Sequence, residues 1–395
     1  MRVCLVTGEF PPLQGGVGDY TMELGRALVA LGAEPHVVTS RVQGHRDTPG
    51  AGSFEVHRIV DRWDWGSWGP IRRQLGEINP DVLHVQYQAA AYGMHPAINL
   101  LPTRARLDRS LRLRTAVTFH DLRVPYLFPK AGRLRWQSIL LLARSSDAVV
   151  VTNVADEAKL EGSLVHTERI PIGANVKPRL PSAFDRAAWR ARWKVGAGDA
   201  LLCHFGFVNR SKGIETLLRA LSMLVTGEEL QFAPRLLMIG GRVGSSDPTN
   251  VAYLRHVEEL IESMGLSERV LWTGFVPEEE VSAAFAAADC CVLPYLEGAS
   301  LNHGTLMAAL AHGMPIVTTS GATTSTVPAP KELVDVENVL LVPPDNAPLL
   351  ADAILRLLKS PVVQQRLSEG ARTLSRLFDW ESIAARHMEV YGGLA

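Results

Sequence analysis

Residues 2–32 read RVCLVTGEFPPLQGGVGDYTMELGRALVALG. A short apolar run, RVCLV, is followed by two prolines and three closely spaced glycines, and then apolar residues recur at helical spacing. An apolar run of that length without polar alternation predicts a strand buried on both faces. A strand, a Gly-rich turn and a helix form the first half of a βαβ unit, the element of a parallel sheet covered by helices. Gly15, Gly16 and Gly18 permit a tight turn, and a helix beginning near Val17 aims its N-terminal amides at the carboxyl edge of the strand. Free amides and the helix dipole favour an anion there. The glycine spacing is neither that of a dinucleotide fingerprint nor that of a P-loop. Asp19 is placed either to cap the helix or to meet a substrate hydroxyl.

The same alternation continues outward. Strand candidates in the first half are EPHVVTS, FEVHRIV, DVLHVQY, TAVTFH, AVVVTN and ERIPIG, with helical patterns such as RLRWQSILLLARS between them. Residues 175–193, NVKPRLPSAFDRAAWRARW, carry two prolines and four arginines without a strand pattern and read as a linker. The alternation restarts at ALLCHFG and runs to VLLVPP, and helical periodicity then fills 347–393 with a break at Pro361. The expected domains are 1–178 and 179–376, with 377–395 as a terminal helix. Both domains are expected to be doubly wound α/β sheets, facing one another across a cleft, with ligands beyond the carboxyl ends of the strands.

The chain has 395 residues, more than one ordinary core holds, and its 47% hydrophobic content suits large packed domains. A net charge of −1 gives no global attraction to nucleic acid. Local charge is less even: RARLDRSLRLR (104–114) and KAGRLRW (130–136) form either a solvated basic face or a dock for anionic lipid or substrate. Trp63, Trp65 and Trp68 are read as packing residues, with contact to sugars or an interface as the alternative. Cys4, Cys203, Cys290 and Cys291 sit in apolar runs without metal-site spacing and read as core residues in a reduced compartment. No run approaches the roughly 18 apolar residues of a membrane span. The expected location is cytoplasmic, with peripheral membrane contact through the Arg-rich segments left open.

Further motifs follow the other strands. His120 and Asp121 close TAVTFHD at a carboxyl end, where His120 can hydrogen-bond a sugar hydroxyl or steady developing charge. HFGFVNRSKGIETLLRAL (204–221) ends a strand at Gly206, then brings Arg210 and Lys212 to a helix start, a pattern suited to clamping phosphate. MIGGRVGSS (238–246) and WTGFVPEEEV (272–281) let the backbone approach a ligand, with main-chain groups near Val276 expected against a nucleobase. In EGASLNHGT (297–305), Glu297 leaves a buried strand, and the amides of Gly298, Ala299, Ser300, Leu301 and Asn302 are expected to face a phosphate and a sugar. No histidine or carboxylate group has metal-ligand spacing, and two cations suffice for a diphosphate, so no metal or other cofactor is expected.

These stretches together resemble the retaining glycosyltransferases of family 4, which have the GT-B fold. The resemblance is carried by FPPLQGGVGDYTMELGRALVALGAEPHVVTS, SKGIETLLRAL, LWTGFVPEEEVSAAFAAADCCVLPY, EGASLNHGTLMAALAHGMPIVTT and FDWESIAARHMEVY. It implies that Gly16 contacts the donor's phosphate region and that His120 lies near the transferred sugar. Lys212 would bind the donor diphosphate, and Glu297 would contact the donor sugar. The terminal helix would cross back to the first domain. Two positions depart from the family pattern. Phe207 stands where an arginine usually follows the strand-ending glycine, with Arg210 the substitute, and Thr305 replaces the second glutamate, which usually holds the ribose. Asn302 or His303 would then assist Thr305. The implied activity is metal-independent transfer of a sugar from a nucleotide-sugar donor to a sugar, glycan or lipid-linked acceptor, with retained configuration. A nucleotide-sugar epimerase of the same fold and a noncatalytic nucleotide-sugar-binding protein are the alternatives.

Overall fold

The computed structural model describes residues 1–13, 15–42, 54–122, 124, 133–163, 165–227, 233–241, 249–321 and 330–394. They divide into one unit comprising Met1–Gly173 with Asp379–Ala395, and a second comprising Ala174–Phe378.

The first unit contains, in order, β1 (Arg2–Val6), α1 (Gly16–Ala30), β2 (Glu34–Ser40), β3 (Glu55–Val60), α2 (Trp68–Ile78), β4 (Val82–Tyr87), α3 (Leu101–Leu107), β5 (Arg114–Phe119), α4 (Arg133–Ser145), β6 (Ala148–Val151), α5 (Val154–Glu161) and the two-residue β7 (Glu168–Arg169). Its strands pair in the order β3-β2-β1-β4-β5-β6-β7, all parallel. Apolar side chains of β1, β4 and β5 are withdrawn from water on both faces of the sheet, as their unbroken apolar runs predict. Of ERIPIG, only Glu168 and Arg169 pair, because Pro171 lacks the amide that would continue the ladder.

The second unit contains α6 (Arg186–Arg192), β8 (Ala200–Phe205), α7 (Ile214–Thr226), β9 (Pro234–Ile239), α8 (Thr249–Ser263), β10 (Val270–Gly274), α9 (Glu278–Ala287), β11 (Cys290–Leu293), α10 (Gly304–Ala311), β12 (Ile316–Thr319), β13 (Leu340–Val342), α11 (Ala347–Lys359) and α12 (Pro361–Ser375). The strand order is β10-β9-β8-β11-β12-β13, again all parallel. Both sheets have the Rossmann-like doubly wound order. All four cysteines are free thiols buried in the strands.

Residues 175–193 are more structured than their composition predicts. Asp185 caps α6 through the amide of Ala188. The buried Arg190 guanidinium donates to the Ala287 carbonyl at 3.0 Å and to the Asp199 carbonyl at 2.7 Å, and meets Asp289 at 3.2 Å. Three of the four arginines thus lie in a helix pinned to the end of α9, and the segment is not an open linker.

Two arginines of 104–114, and its aspartate, also have internal partners. Arg106 pairs with Asp147, Arg72 pairs with Asp108, and Arg104 lies over the Trp68 ring at 5.5 Å. Trp63 donates to the Ser40 hydroxyl at 2.8 Å and Trp68 to the Ala97 carbonyl at 3.1 Å, so both are packing residues, whereas Trp65 is 49% exposed. Of KAGRLRW, residues 130–132 lie outside the described residues. Among the described residues no helix is long and apolar enough to cross a membrane.

The last helix, α13 (Trp380–Gly392), completes the first unit by packing on α1. Trp380 meets the Tyr20 ring edge-on at 5.1 Å, and the Tyr20 hydroxyl lies 3.4 Å from His387 Nε2. The Tyr391 hydroxyl reaches His84 Nδ1 at 2.6 Å. Gln86 Nε2 also donates to that nitrogen, which leaves the opposite nitrogen, Nε2, as the donor to Thr118 Oγ1 at 2.8 Å. Burial holds His84 far below the usual imidazole range and draws His387 down to about 4, so both rings are neutral in the fold. An unfolded histidine titrates near 6.5, so below that pH the unfolded chain binds protons that the folded chain refuses. Stability is therefore expected to fall as pH drops from about 6.5 towards 4, by about 2 kcal/mol at pH 5 for His387, with His84 acting in the same direction. Thermal unfolding from pH 7.5 to 5 checks this, and a His84→Gln, His387→Gln double variant should have a flatter profile.

Candidate active site

In the second unit the strand order reverses between β8 and β11, which is where ligands of such sheets bind. After β8 the chain turns at Gly206 (φ +128°), forms a single 3-10 turn over Arg210–Lys212, and enters α7 through Gly213 (φ +66°). A β-carbon on Gly213 would lie 2.0 Å from the Pro294 carbonyl oxygen, so glycine lets the two loops touch. Leu296 donates its amide to the Ser211 carbonyl at 3.0 Å, tying the loops a second time. These contacts set Lys212 Nζ 4.8 Å from the centroid of the buried Tyr295 ring.

Burial draws the partly buried Lys212 ammonium down to about 8. The titratable rings that feel its charge, His204 and His303, are held neutral chiefly by burial, at about 4 and about 3. His303 stacks on Tyr295 with centroids 3.9 Å apart, and its Nδ1 accepts the Ser300 amide at 3.3 Å, which leaves Nε2 carrying the proton. Among the described residues no carboxylate lies within ion-pairing distance of Lys212. The site is a cation in a neutral, aromatic surround, an arrangement that favours an anionic ligand.

The residues of EGASLNHGT separate into two groups. Glu297 is exposed, directly beyond the strand end. Gly298 has φ +91°, and a β-carbon there would meet the Ser320 carbonyl at 2.7 Å. The expectation of a row of free amides needs correction, because most are already spent inside the protein. Gly298 donates to the Tyr295 carbonyl, Ala299 to the Thr319 carbonyl, Ser300 to His303 and Asn302 to the Ser300 hydroxyl. Leu301 is the one of the five whose amide has no acceptor among the described residues. Thr305 is likewise engaged: its hydroxyl lies 2.7 Å from the Tyr295 hydroxyl, and its methyl group packs where a β-carbon on Gly206 would sit.

Arg210 is exposed at the start of the 3-10 turn, and its charge is felt by Tyr253 of α8. Val276 is half-buried after β10, beside the 70% exposed Phe275. Of MIGGRVGSS, residues 242–246 lie outside the described residues.

In the first unit the order reverses between β1 and β4. His120, beyond β5, donates through Nε2 to Gln86 Oε1 at 2.9 Å, and its ring meets Tyr20 edge-on at 4.6 Å. Burial lowers it to about 3, so it is a neutral ring whose Nδ1 keeps its lone pair. That tautomer accepts a hydrogen bond from a hydroxyl at Nδ1 and cannot stabilise negative charge there. Asp121 follows, half-buried, with its cap-side segment at 123 and 125–129 outside the described residues.

The glycines of the first loop have different reasons to be there, and sequence reading missed the residue that separates them. Glu9 accepts the Val17 amide at the start of α1, and burial raises its carboxyl to about 7, with the charge of Asp19 adding to the rise. A β-carbon on Gly15 would collide with that carboxyl group, and one on Gly18 would lie 2.9 Å from the Glu9 carbonyl. Gly16 would meet nothing within 4 Å among the described residues. The cap of α1 is Gly15, with Asp19 inside the first turn, so Asp19 is not the capping residue. Tyr295 was also missed, hidden in the apolar run CCVLPYL.

Residues 15–175 match the model of the "Glycosyl transferase 4-like domain", and residues 199–360 match that of "Glycosyl transferases group 1". The chain is 28% identical to the D-inositol 3-phosphate glycosyltransferase of Xylanimonas cellulosilytica, across 99% of this chain and 96% of that one. It is 26% identical to the GDP-mannose-dependent alpha-(1-6)-phosphatidylinositol monomannoside mannosyltransferase of Mycobacterium tuberculosis, across 98% and 96%. Among solved structures, sucrose-phosphate synthase from Thermosynechococcus elongatus superposes with a TM-score of 0.77 at 24% identity, covering 100% of this chain and 99% of that one. Anabaena HepE in complex with UDP-glucose gives 0.74 at 15% identity, covering 100% of both. The chain is a glycosyltransferase of the GT-B fold, with a glycosyl transferase 4-like domain in the first unit and a group 1 domain in the second. As an enzyme it is of the hexosyltransferase type.

Thr305→Val removes the hydrogen-bond partner of a buried phenol, which costs about 1–3 kcal/mol. The variant is expected to melt several degrees lower in a thermal scan, with Tyr295→Phe, Thr305→Val recovering part of the loss. An unchanged melting temperature in Thr305→Val would count against the pairing.

Proposed function

We propose that the chain transfers a sugar from a nucleoside-diphosphate donor to an acceptor hydroxyl with retained anomeric configuration, and that the transfer step uses no metal ion. Lys212 is the observation that carries the reading. Its ammonium is held at the strand-order reversal over an aromatic ring, with its charge costly to keep and no carboxylate within ion-pairing distance among the described residues. At neutral pH that burial costs on the order of 3 kcal/mol, which a bound diphosphate would offset. The relatives named for GDP-mannose and the HepE complex with UDP-glucose support this donor class.

In this reading the bond between the anomeric carbon and the diphosphate oxygen breaks while a bond from that carbon to the acceptor oxygen forms on the same face. Negative charge grows on the leaving diphosphate, and Lys212 and the start of α7 stabilise it where it develops. The acceptor's proton passes to the leaving phosphate oxygen, so no protein base is required. Glu297 contacts the donor sugar. His120, neutral and with its Nδ1 lone pair available, accepts a hydrogen bond from a sugar hydroxyl. Gly16 leaves room for the donor to approach the first loop. With Thr305 committed to Tyr295, the protonated Nε2 of His303 takes over the ribose contact. Arg210, at the rim of the turn, adds attraction at longer range.

Only protonated Lys212 attracts the diphosphate. With donor limiting, kcat/KM is therefore expected to fall as pH rises through about 8, and in kcat the same limb should move to higher pH because bound phosphate favours the ammonium. Lys212→Arg should remove the limb, since a guanidinium stays charged. Lys212→Met should raise the melting temperature at pH 7 while lowering turnover by about 10²–10³-fold. Near-normal turnover in Lys212→Met would overturn the reading.

Gly16→Ala and Gly18→Ala are expected to fail differently. The first should keep its melting temperature and lose donor affinity, and the second should lose stability because its β-carbon meets backbone. Thermal scans paired with donor KM separate the two.

A further inference from the structure

The parallel pairing of β2 with β3 sets His36 directly opposite Glu55, and residues two apart on a strand share a face. Glu34, His36, Glu55 and His57 therefore project together from two adjacent strands, at their amino-terminal ends. His120 follows the carboxyl end of β5, at the opposite edge of the same sheet. His36 Nδ1 lies 3.2 Å from His57 Nε2, 3.5 Å separates it from Glu55 Oε2, and His57 Nε2 is 3.6 Å from that same oxygen. The three ligand atoms form a nearly equilateral triangle.

That triangle has the dimensions of a metal site. Tetrahedral bonds of about 2.0–2.1 Å from zinc to imidazole nitrogen or carboxylate oxygen place ligand atoms about 3.3–3.4 Å apart. The three measured edges straddle that figure. A fourth residue orients the first: His36 Nε2 lies 3.4 Å from Glu34 Oε1, so an Nε2–H donated to Glu34 leaves the Nδ1 lone pair facing His57 and Glu55. A carboxylate behind a ligating imidazole fixes its tautomer and raises its basicity. The site is also reachable, because His36 is nearly buried and His57 17% exposed, while Glu55 is 67% exposed and can close over an ion.

We propose that His36, Glu55 and His57 bind one divalent transition-metal ion of the zinc class, with water in the fourth position and Glu34 positioning His36. Two imidazoles and one carboxylate select zinc, cobalt or nickel over magnesium or calcium, which prefer all-oxygen shells. The ion would bridge the edge strand β3 to β2. It would act on the stability of the first unit and take no part in sugar transfer, so the proposal is independent of the metal-free transfer step.

The full chain, stripped with a chelator and titrated with Co²⁺, tests this directly. Saturation at one equivalent with the visible absorption of four- or five-coordinate cobalt is expected, and one equivalent of Zn²⁺ should abolish the band. Zn²⁺ should raise the melting temperature, and Mg²⁺ should leave it unchanged. His57→Ala should lose the cobalt band, and Glu34→Gln should weaken binding about 10–100-fold. Glu55→Gln, at an exposed position that leaves the fold intact, should weaken it strongly and carries the test if His57→Ala misfolds. No saturable cobalt band in the parent chain, or equal affinity in Glu55→Gln, would overturn the proposal and leave a plain hydrogen bond between the two rings.

Discussion

Strands β8 and β11 lie side by side, but the chain leaves them towards opposite sides of the sheet. No connecting helix can then cover the gap between their carboxyl ends, and two loops must fill it. The rest of the second unit's chemistry follows from how those loops are pressed together. Gly213 yields its side chain so that the Pro294 carbonyl can approach, and the Leu296 amide bonds to Ser211. The cost of that closeness is a lysine drawn out of water over a tyrosine ring. Lys212 owes its charge-seeking character to backbone fit, and no acidic neighbour has to be invoked.

Much of this was legible in the sequence, for physical reasons that differ by residue. Unbroken apolar runs announce strands covered on both faces, so RVCLV and CCVL could be assigned without contacts. Gly206 and Gly213 were visible because left-handed backbone selects glycine. Lys212 was visible because a cation between a strand end and a helix start has few other uses. What stayed hidden depends on long-range pairing. Whether the amide of Ala299 is free turns on Thr319, twenty residues on, and nothing local encodes that. The linker reading of 175–193 failed for a similar reason: Arg190 is buried because Asp289 and two carbonyls from elsewhere in the chain receive it.

Glu9 shows how a loop can look like a ligand site and be partly filled by the protein itself. Its carboxyl group takes the Val17 amide in the first turn of α1, the place where a bound anion is expected, and its raised pKa lets it do so without a full charge near neutrality. Gly15 and Gly18 then serve that internal contact, and only Gly16 remains facing open space. The resemblance to relatives identifies the glycine cluster as a whole, while local geometry distinguishes its members.

The packing of α13 on α1 has a consequence for biosynthesis. Tyr20 and His84 find their partners in Trp380, His387 and Tyr391, which are synthesised only after the whole second unit. The amino-terminal unit therefore cannot finish folding when its own sheet has emerged. It must wait while Ala174–Phe378 are synthesised, roughly ten to forty seconds at ordinary elongation rates, with the seat for the final helix uncovered. In this chain the unit whose sheet is translated before the other is sealed after it, and the nascent polypeptide carries the uncovered seat through that interval.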